Sequence, residues 1–316
     1  MNHIPVMLNE CLEALITDPK GIYVDATLGN GGHSAAILNH VESGGMLVGF
    51  DRDIDAIERV QGTLQSGAGK RVELVHDNYA NMAEQLDRLG IEKVNGLLLD
   101  LGVSSFQLDV ADRGFSFQKD APIDMRMDQQ SGQTAGELVN TASEQELADL
   151  IYRYGEDRAS RRIARAIVDA RSKAEIETTL QLAGIVERAK GGRKGKKKHP
   201  ATQTFQALRM AVNDELAGLE QVLETMMDRM VEGGRMVVLT FHSLEDRLVK
   251  QFFARHVPRE ESLQQGGVKR IFEEPPATWI WKKPLIATAE EQAMNPRSRS
   301  AKLRAVEVGV KNGNQT

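Results

Sequence analysis

Four short apolar runs that alternate with helical patterns constrain the fold of this chain more than any other feature. The runs span residues 22–25, 46–51, 72–76 and 94–100, and helical spacing of apolar residues lies between them. Nearly continuous apolar strands that alternate with helices are typical of a parallel sheet with helices on both faces. The first hundred residues therefore predict an α/β fold.

The alternation stops near residue 105, and the next hundred residues predict helices alone. Ser143 and Glu146 form a capping-box pattern ahead of one helix, and a single long helix is predicted over residues 205–223. Gly233 and Gly234 are expected to end that long helix. Strands are predicted again over residues 236–241, 285–288 and 303–308, the last two as a terminal pair.

The simplest assembly is one doubly wound sheet that is interrupted by a helical insertion. Residues 1–105 and 215–316 would form the sheet domain, and residues 106–214 would form an all-helical domain that acts as a lid or substrate platform.

A glycine-rich turn follows the first strand, at Gly29-Asn30-Gly31-Gly32-His33-Ser34. Glycines permit positive φ and close approach of a ligand, and the N–H groups that begin the next helix favour an anionic group. Asp51 ends the second strand, where a carboxylate can accept both hydroxyls of an adenosine ribose. A structural turn beside a surface aspartate is the simpler interpretation, but the two features together favour a nucleotide-like ligand.

Two cofactors fit such a turn, a dinucleotide and S-adenosylmethionine. A dinucleotide turn has glycines at G-x-G-x-x-G, and this run lacks the last glycine at its spacing. S-adenosylmethionine has no phosphate and needs a site for its carboxylate. The sequence therefore favours S-adenosylmethionine and leaves a nicotinamide-dependent oxidoreductase as the alternative.

Two further residues follow strands at the edge where ligands bind in such sheets. Asp100 ends the fourth strand and is expected near the reactive end of the cofactor, and His242 follows the fifth strand, where it either orients a substrate or serves the structure. The histidines have no metal-ligand spacing, so no metal is expected. Cys11 is the only cysteine, which disfavours a thiol adduct and leaves an amino nitrogen or a hydroxyl as methyl acceptor.

Charge is distributed unevenly, although the formal net charge is −5. Residues 188–199 contain seven lysines and arginines and residues 295–304 contain four, and neither segment contains an acid. Such segments would concentrate positive potential where phosphates could dock. Solvated loops are the other interpretation. The residues proposed to contact RNA are Arg126, Lys194, Lys196, Lys197, Lys198, Arg297 and Arg299. The single cysteine and the lack of a long apolar run favour a cytoplasmic protein with no membrane partner.

Eight stretches together make the chain resemble the RsmH (MraW) family of S-adenosylmethionine-dependent methyltransferases over essentially its full length. Beside the glycine-rich run, the matching stretches are His3-Ile4-Pro5-Val6, Asp100-Leu101-Gly102-Val103-Ser104-Ser105, Arg113-Gly114-Phe115-Ser116-Phe117, Asp124-Met125-Arg126-Met127-Asp128, His199-Pro200-Ala201-Thr202 with Thr204-Phe205-Gln206, Phe241-His242-Ser243-Leu244-Glu245-Asp246-Arg247 and Asn295-Pro296-Arg297-Ser298-Arg299-Ser300.

The resemblance implies methylation of the N4 amino group of a cytidine in the decoding region of bacterial 16S rRNA. It also implies a Rossmann-like seven-stranded methyltransferase sheet with an inserted helical domain. The partner would be 16S rRNA in the small ribosomal subunit, with a monomer and a homodimer both left open. The residues implied to contact the cofactor are Gly31, Gly32, His33, Asp51, Tyr79, Asp100 and Gln107.

The expected catalysis is mainly positioning of a weakly nucleophilic amine, with Asp100 as the candidate acceptor of an amino proton. Besides the oxidoreductase, a non-catalytic ribosome-assembly factor remains an alternative, as does methylation of DNA or protein.

Overall fold

The computed structural model describes residues 4–64, 69–193, 195, 198–262, 268–271 and 276–309, with the side chains of 259–262 and 268–271 left out. His3, Lys194, Lys196 and Lys197 therefore lie outside the described residues. The chain forms two compact units, one of Met1–Gly102 with Leu216–Thr316 and one of Val103–Glu215. The boundaries expected after residues 105 and 214 lie close to these.

The first unit is built on a sheet whose main path runs in the order β3-β2-β1-β4-β5-β10-β8. Strands β1 to β5 are parallel, β10 is antiparallel to β5 and β8, and the two-residue β9 also pairs with β10. This arrangement confirms the predicted α/β class and the expected terminal pair, since β9 lies within the strand predicted over residues 285–288 and pairs with β10, and it adds β8 to the elements expected. A separate antiparallel pair is formed by β6 and β7. The strands are β1 Ile22–Asp25, β2 Met46–Asp51, β3 Arg71–His76, β4 Val94–Asp100, β5 Met230–Thr240, β6 Arg259–Ser262, β7 Val268–Ile271, β8 Ala277–Trp279, β9 Leu285–Ile286 and β10 Lys302–Val308.

Thirteen helices are described beside these strands, with six of them, α5 to α10, in the second unit. They are α1 Leu8–Leu15, α2 Gly32–His40, α3 Ile54–Gln61, α4 Met82–Arg88, α5 Ser105–Asp109, α6 Ala135–Thr141, α7 Glu144–Gly155, α8 Ser160–Arg171, α9 Thr179–Ala189, α10 Thr202–Asn213, α11 Glu215–Met227, α12 Ser243–His256 and α13 Ala289–Met294. None of them is both long and apolar enough to cross a membrane.

Both faces of the sheet bury apolar side chains because successive residues of a strand point to opposite sides. In β4, Leu97 and Leu99 join a core with α4, α11 and α12, whereas Leu98 joins a second core with α1 and α2. This two-sided burial explains why the strands are nearly continuous apolar runs. The apolar runs of β1, β2 and β4 end at their carboxyl ends, where each strand finishes with an aspartate: Asp25, Asp51 and Asp100.

The second unit is a helical assembly with its own apolar core, to which α6, α7, α8, α9 and α10 contribute. The capping box of Ser143 and Glu146 begins α7 as predicted. In the described part of this unit, β-type pairing consists of one isolated bridge between Pro122 and Thr178. Four of its helices begin with capping boxes, so local hydrogen bonds define their starts.

Two predictions about this region are wrong. The expected long helix is two helices, α10 and α11, because Asp214 between them has a left-handed backbone with φ of 48°. The Gly233-Gly234 pair does not end a helix but lies inside β5, where the pairing with β4 shifts register after Val94. Gly233 has φ of 75°, which fits the irregular, bulged start of that strand.

Candidate active site

The glycine-rich turn is held in shape by Asp25, which ends β1. Its carboxylate accepts hydrogen bonds from the Ser34 hydroxyl at 2.6 Å and from the Thr27 backbone N–H at 3.1 Å. Asp25 is buried, and this burial raises the pKa of its carboxyl above the ordinary value. The two hydrogen bonds tie the beginning of the turn to the first turn of α2.

Gly31 and Gly32 bring the backbone of this turn against its neighbours. Gly31 has φ of 74°, and a Cβ on Gly32 would lie 2.4 Å from the ring of Pro5. The helix α2 begins at Gly32 and has no acidic residue in its first turn. Its first N–H groups have no partners within the helix, so this end of α2 is suited to a carboxylate.

Asp51 lies beside the turn at the end of β2. One carboxylate oxygen accepts the Gly29 N–H at 2.8 Å, and the other accepts the Asp53 N–H at 2.9 Å. Burial is the main cause that raises the pKa of Asp51 to about 6, against the lowering effect of these two hydrogen bonds. The carboxylate is half-buried and still ionised at neutral pH, which fits a bond to ribose hydroxyls.

Tyr79 follows β3 and begins a short 3₁₀ helix of Tyr79–Asn81. Its half-buried ring packs on the core of the first unit and lies close to Gly218 of α11, where an added Cβ would be 3.4 Å from Cε2. An aromatic face is therefore held in a fixed position after the third strand.

Asp100 ends β4, and its N–H donates to the Thr27 hydroxyl at 2.7 Å. Its Oδ2 lies 3.4 Å from Nδ1 of His33, whose Nε2 donates to the Val6 carbonyl at 3.1 Å. Burial opposes protonation of His33, but the Asp100 carboxylate and the Cys11 thiol outweigh it and raise the pKa of His33 well above its usual value. Oδ1 of Asp100 is buried and has no hydrogen-bond partner among the described residues.

The sequence of the chain matches a known family of proteins over nearly its whole length. The sequence pattern that defines the MraW methylase family matches residues 1–309. The chain belongs to the MraW methylase family. Membership confirms the resemblance found in the sequence, and with it methyl transfer from S-adenosylmethionine in place of dinucleotide chemistry.

Relatives with curated names cover nearly the whole chain. The ribosomal RNA small subunit methyltransferase H of Geotalea uraniireducens is 50% identical over 310 residues, which cover 97% of this chain and 98% of that protein. The protein of the same name from Nitratidesulfovibrio vulgaris is 49% identical over 313 residues, covering 96% and 85%. Among solved structures, an rRNA methylase from Streptococcus thermophilus has a TM-score of 0.41 at 12% identity, covering 95% of this chain and 93% of that one.

The residues of the first unit fit the cofactor of this methylase family. The start of α2 can bind the amino-acid carboxylate, Asp51 can accept the ribose hydroxyls, and the ring of Tyr79 can pack on adenine. The buried, unpartnered Oδ1 of Asp100 completes the set with an acceptor for a polar hydrogen. Gly31, Gly32, His33, Asp51, Tyr79 and Asp100 all lie in this unit, and their contact with the cofactor remains a prediction.

His242 has a structural task in this methylase. It caps α12, where its Nδ1 accepts the Glu245 N–H at 3.4 Å, and the Glu245 carboxylate accepts the His242 N–H at 3.3 Å and the Phe241 N–H at 2.9 Å. The capping box fixes the path of the chain after β5. A role for His242 in orienting the substrate stays a prediction.

Gln107, implied as a cofactor contact, lies in the second unit and is buried. Its side-chain oxygen accepts the Ser104 N–H at 3.1 Å, which completes the capping box at the start of α5. A cofactor contact for Gln107 remains a prediction.

Arg126, proposed to contact RNA, is paired within its own loop. Its Nε and Nη2 donate to the two carboxylate oxygens of Asp124 at 2.8 and 3.0 Å. The backbone around it is braced by Asn213, which donates to the Met125 carbonyl at 2.7 Å and accepts the Met127 N–H at 2.8 Å. This role of Asn213 could not be predicted from the sequence, since nothing in its neighbourhood points to a partner more than eighty residues away.

The two basic segments are described only in part. Lys198 and Arg299 are exposed, and Arg297 is half-buried in a short 3₁₀ helix of Pro296–Ser300. These side chains are accessible to a phosphate backbone, and their contact with RNA remains a prediction.

Proposed function

We propose that this protein transfers the methyl group of S-adenosylmethionine to the N4 amino group of a cytidine in 16S rRNA. The observation that carries the proposal is the buried, unpartnered Oδ1 of Asp100 at the end of β4, beside the glycine-rich turn. An amino group that enters this edge would find one acceptor in place. The names of the relatives support small-subunit ribosomal RNA as the substrate, which would be modified in the cytoplasm.

The cytosine amino group is a poor nucleophile because its lone pair is delocalised into the ring. S-adenosylmethionine supplies an electrophilic methyl group on a sulfonium. A hydrogen bond from the amine to Oδ1 of Asp100 would localise the lone pair and align it with the methyl–sulfur bond. Bound S-adenosylmethionine would supply the methyl group and keep the C–S electron pair as S-adenosylhomocysteine, while Asp100 would accept the surplus amino proton and pass it to water.

The second unit would act as the substrate-recognition domain, and its helix α8 supports this role. Arg161, Arg162 and Arg165 of α8, with Arg158 just before the helix, are exposed and recur at three- and four-residue spacing, whereas Ile163 and Ile167 are buried on the opposite side. In the described structure, Arg165 is the member of this stripe that pairs with an acid, Glu144 at 3.6 Å.

A stripe of exposed guanidinium groups fits a phosphate backbone, and such contacts weaken as salt rises. Tyr152, with 64% of its surface exposed on the neighbouring helix α7, offers an aromatic face to an unstacked base. The target cytidine would have to leave its stack to reach the methyl group. The stripe on α8 and the exposed Lys198 and Arg299 would hold the surrounding RNA.

The test incubates the protein with tritiated-methyl S-adenosylmethionine and small subunits from cells that lack the gene. The labelled nucleoside is then identified by chromatography beside N4-methylcytidine. Label in N4-methylcytidine is the expected result, with naked rRNA and DNA as parallel substrates. Label in another nucleoside, or in ribosomal protein, would refute the proposed acceptor. A wild type that binds the cofactor and methylates none of these substrates would favour a non-catalytic assembly factor.

A further inference from the structure

The hydrogen bond between His33 and Val6 indicates which ring nitrogen of His33 carries a proton, and therefore what Nδ1 presents to Asp100. The Val6 carbonyl can only accept a hydrogen bond, so Nε2 of His33 carries a proton. A neutral imidazole would then present the lone pair of Nδ1 to the Asp100 carboxylate, 3.4 Å away. Two acceptors would then face each other, so the observed arrangement favours a proton on Nδ1 as well.

The other groups around His33 agree with an imidazolium cation. The Cys11 thiol on α1 lies against the ring, and burial raises the thiol pKa, so this neighbour stays neutral. The charge of His33 also acts to lower the pKa of Asp25 on β1, against the larger effect of burial, but the Asp25 carboxylate already accepts hydrogen bonds from Ser34 and Thr27. Asp100 on β4 is therefore the carboxylate that faces the ring.

We propose that His33 is a positioning residue that acts as an imidazolium, holding Oδ2 of Asp100 so that Oδ1 remains as the acceptor for the substrate amine. The role given to Oδ1 rests on the proposed function. The protonation state inferred for His33 is independent of that function. His33 is 6% exposed, so its charge is shielded from solvent and stays directed at the carboxylate. Since the resemblance implies only that the glycine-glycine-histidine run contacts the cofactor, this assigns the side chain of His33 a separate task.

The proposal predicts a dependence of turnover on alkaline pH. The cation is present below the raised pKa of His33 and is lost as the pH rises through it. Above that pH, the lone pair of Nδ1 repels Asp100 and the carboxylate leaves its position. The rate constant of methyl transfer at saturating cofactor should therefore fall at alkaline pH, while cofactor affinity changes much less.

Single-turnover rates and S-adenosylhomocysteine affinity would be measured from pH 6 to 10 for wild type, His33→Asn and His40→Asn. His40 is exposed at the other end of α2 and serves as the matched control. We expect His33→Asn to lower the rate at neutral pH by about 10²-fold and to lose the alkaline decline. An alkaline decline that persists in His33→Asn, or a loss of cofactor affinity with an unchanged saturated rate, would overturn the proposal.

A second variant and a direct measurement test the proposal even if the His33→Asn protein does not fold. Cys11→Ser should keep the alkaline decline, and its loss there would make the thiol the partner of His33 and overturn the proposal. Nitrogen NMR of wild-type protein labelled with ¹⁵N-histidine would report two protonated ring nitrogens for one buried histidine at pH 7.5. Every histidine being neutral at that pH would refute the cation, whatever substrate the enzyme takes. Absence of methyl transfer by wild type would instead count against the proposed function alone.

Discussion

Asp51, which we propose as a ligand of the cofactor ribose, should lower the stability of the ligand-free protein. Its pKa rises from 3.8 to about 6 on folding because of burial. At about 1.4 kcal/mol per pKa unit, this shift corresponds to about 3 kcal/mol. The folded state binds the proton more tightly than the unfolded state, so this group stabilises the fold at pH 4 and that contribution is lost as the pH rises to 6.

The variant Asp51→Asn isolates this effect because the amide does not titrate. It retains one acceptor for the two N–H groups of Gly29 and Asp53, and the lost hydrogen bond lowers stability by about 1 kcal/mol at every pH. Because the unfolded carboxyl is already more than half ionised at pH 4, the difference in unfolding free energy between variant and wild type should move by about 2 kcal/mol in favour of the variant between pH 4 and pH 7.

Urea unfolding followed by tryptophan fluorescence measures this difference in the relevant unit. The chain has two tryptophans, Trp279 and Trp281, and both lie in the first unit. Asp228→Asn, a change of the same type at an exposed position of that unit, gives the baseline. In parallel, Asp51→Asn should bind S-adenosylhomocysteine at least about tenfold more weakly at pH 7.5. A stability difference that is constant from pH 4 to pH 7 would refute the reasoning.

Three further changes test the reacting end, the turn and the RNA surface. Asp100→Asn should lower the single-turnover rate by about 10²-fold or more with S-adenosylhomocysteine affinity within about tenfold of wild type, and an unchanged rate would remove Asp100 from the chemistry. Gly32→Ala should weaken S-adenosylhomocysteine binding in calorimetry, because its Cβ has no room, whereas Gly62→Ala has open space and should bind normally. Arg161→Ala with Arg162→Ala should reduce the salt slope of RNA binding by about 1.4 and leave cofactor affinity unchanged; an unchanged slope would exclude the α8 stripe.

The strands of the sheet could be predicted closely because a strand that is buried on both faces appears in the sequence as a nearly continuous apolar run. β1, β2 and β4 begin and end at the predicted residues, since their apolar runs stop where the chain leaves the core. β8 spans only three residues, Ala277–Trp279, and is defined by its pairing with β10. A segment that short carries too little pattern to be recognised without its partner.

The break at Asp214 could not be predicted because the apolar spacing continues through it. Phe205 and Leu208 of α10 are buried in the core of the second unit, and Leu219 and Leu223 of α11 are buried in the core of the first. One periodic pattern therefore serves two separate cores. The left-handed conformation of Asp214 changes the direction of the chain between them, and an aspartate there is tolerated more readily than most side chains.

The places of Asp51 and Asp100 at the ends of β2 and β4 could be predicted from the sequence, but the contacts of the candidate site could not. Asp51 and Asp100 were recognised because each ends a strand at the edge where parallel sheets bind ligands. The contacts of His33 with Val6 and Asp100 join residues that are far apart in sequence. Polar pairs of this kind leave no periodic signal, so only the folded chain reveals which atoms of Asp100 are occupied.

Three aspartates at the ends of β1, β2 and β4 share a residue type and an edge of the sheet, and their surroundings separate their tasks. Both oxygens of Asp25 are bonded inside the protein to Ser34 and Thr27, so it shapes the turn and has no free side toward a ligand. Asp51 receives two backbone N–H groups but stays half-exposed, which leaves lone pairs for hydroxyl groups. Asp100 has one oxygen beside the His33 ring and one without a hydrogen-bond partner in the part of the chain that the structure describes. Because a carboxylate acts on a substrate only through the lone pairs that the protein leaves unused, these surroundings support the proposed division of tasks, with Asp25 shaping the turn, Asp51 binding the cofactor and Asp100 serving the chemistry.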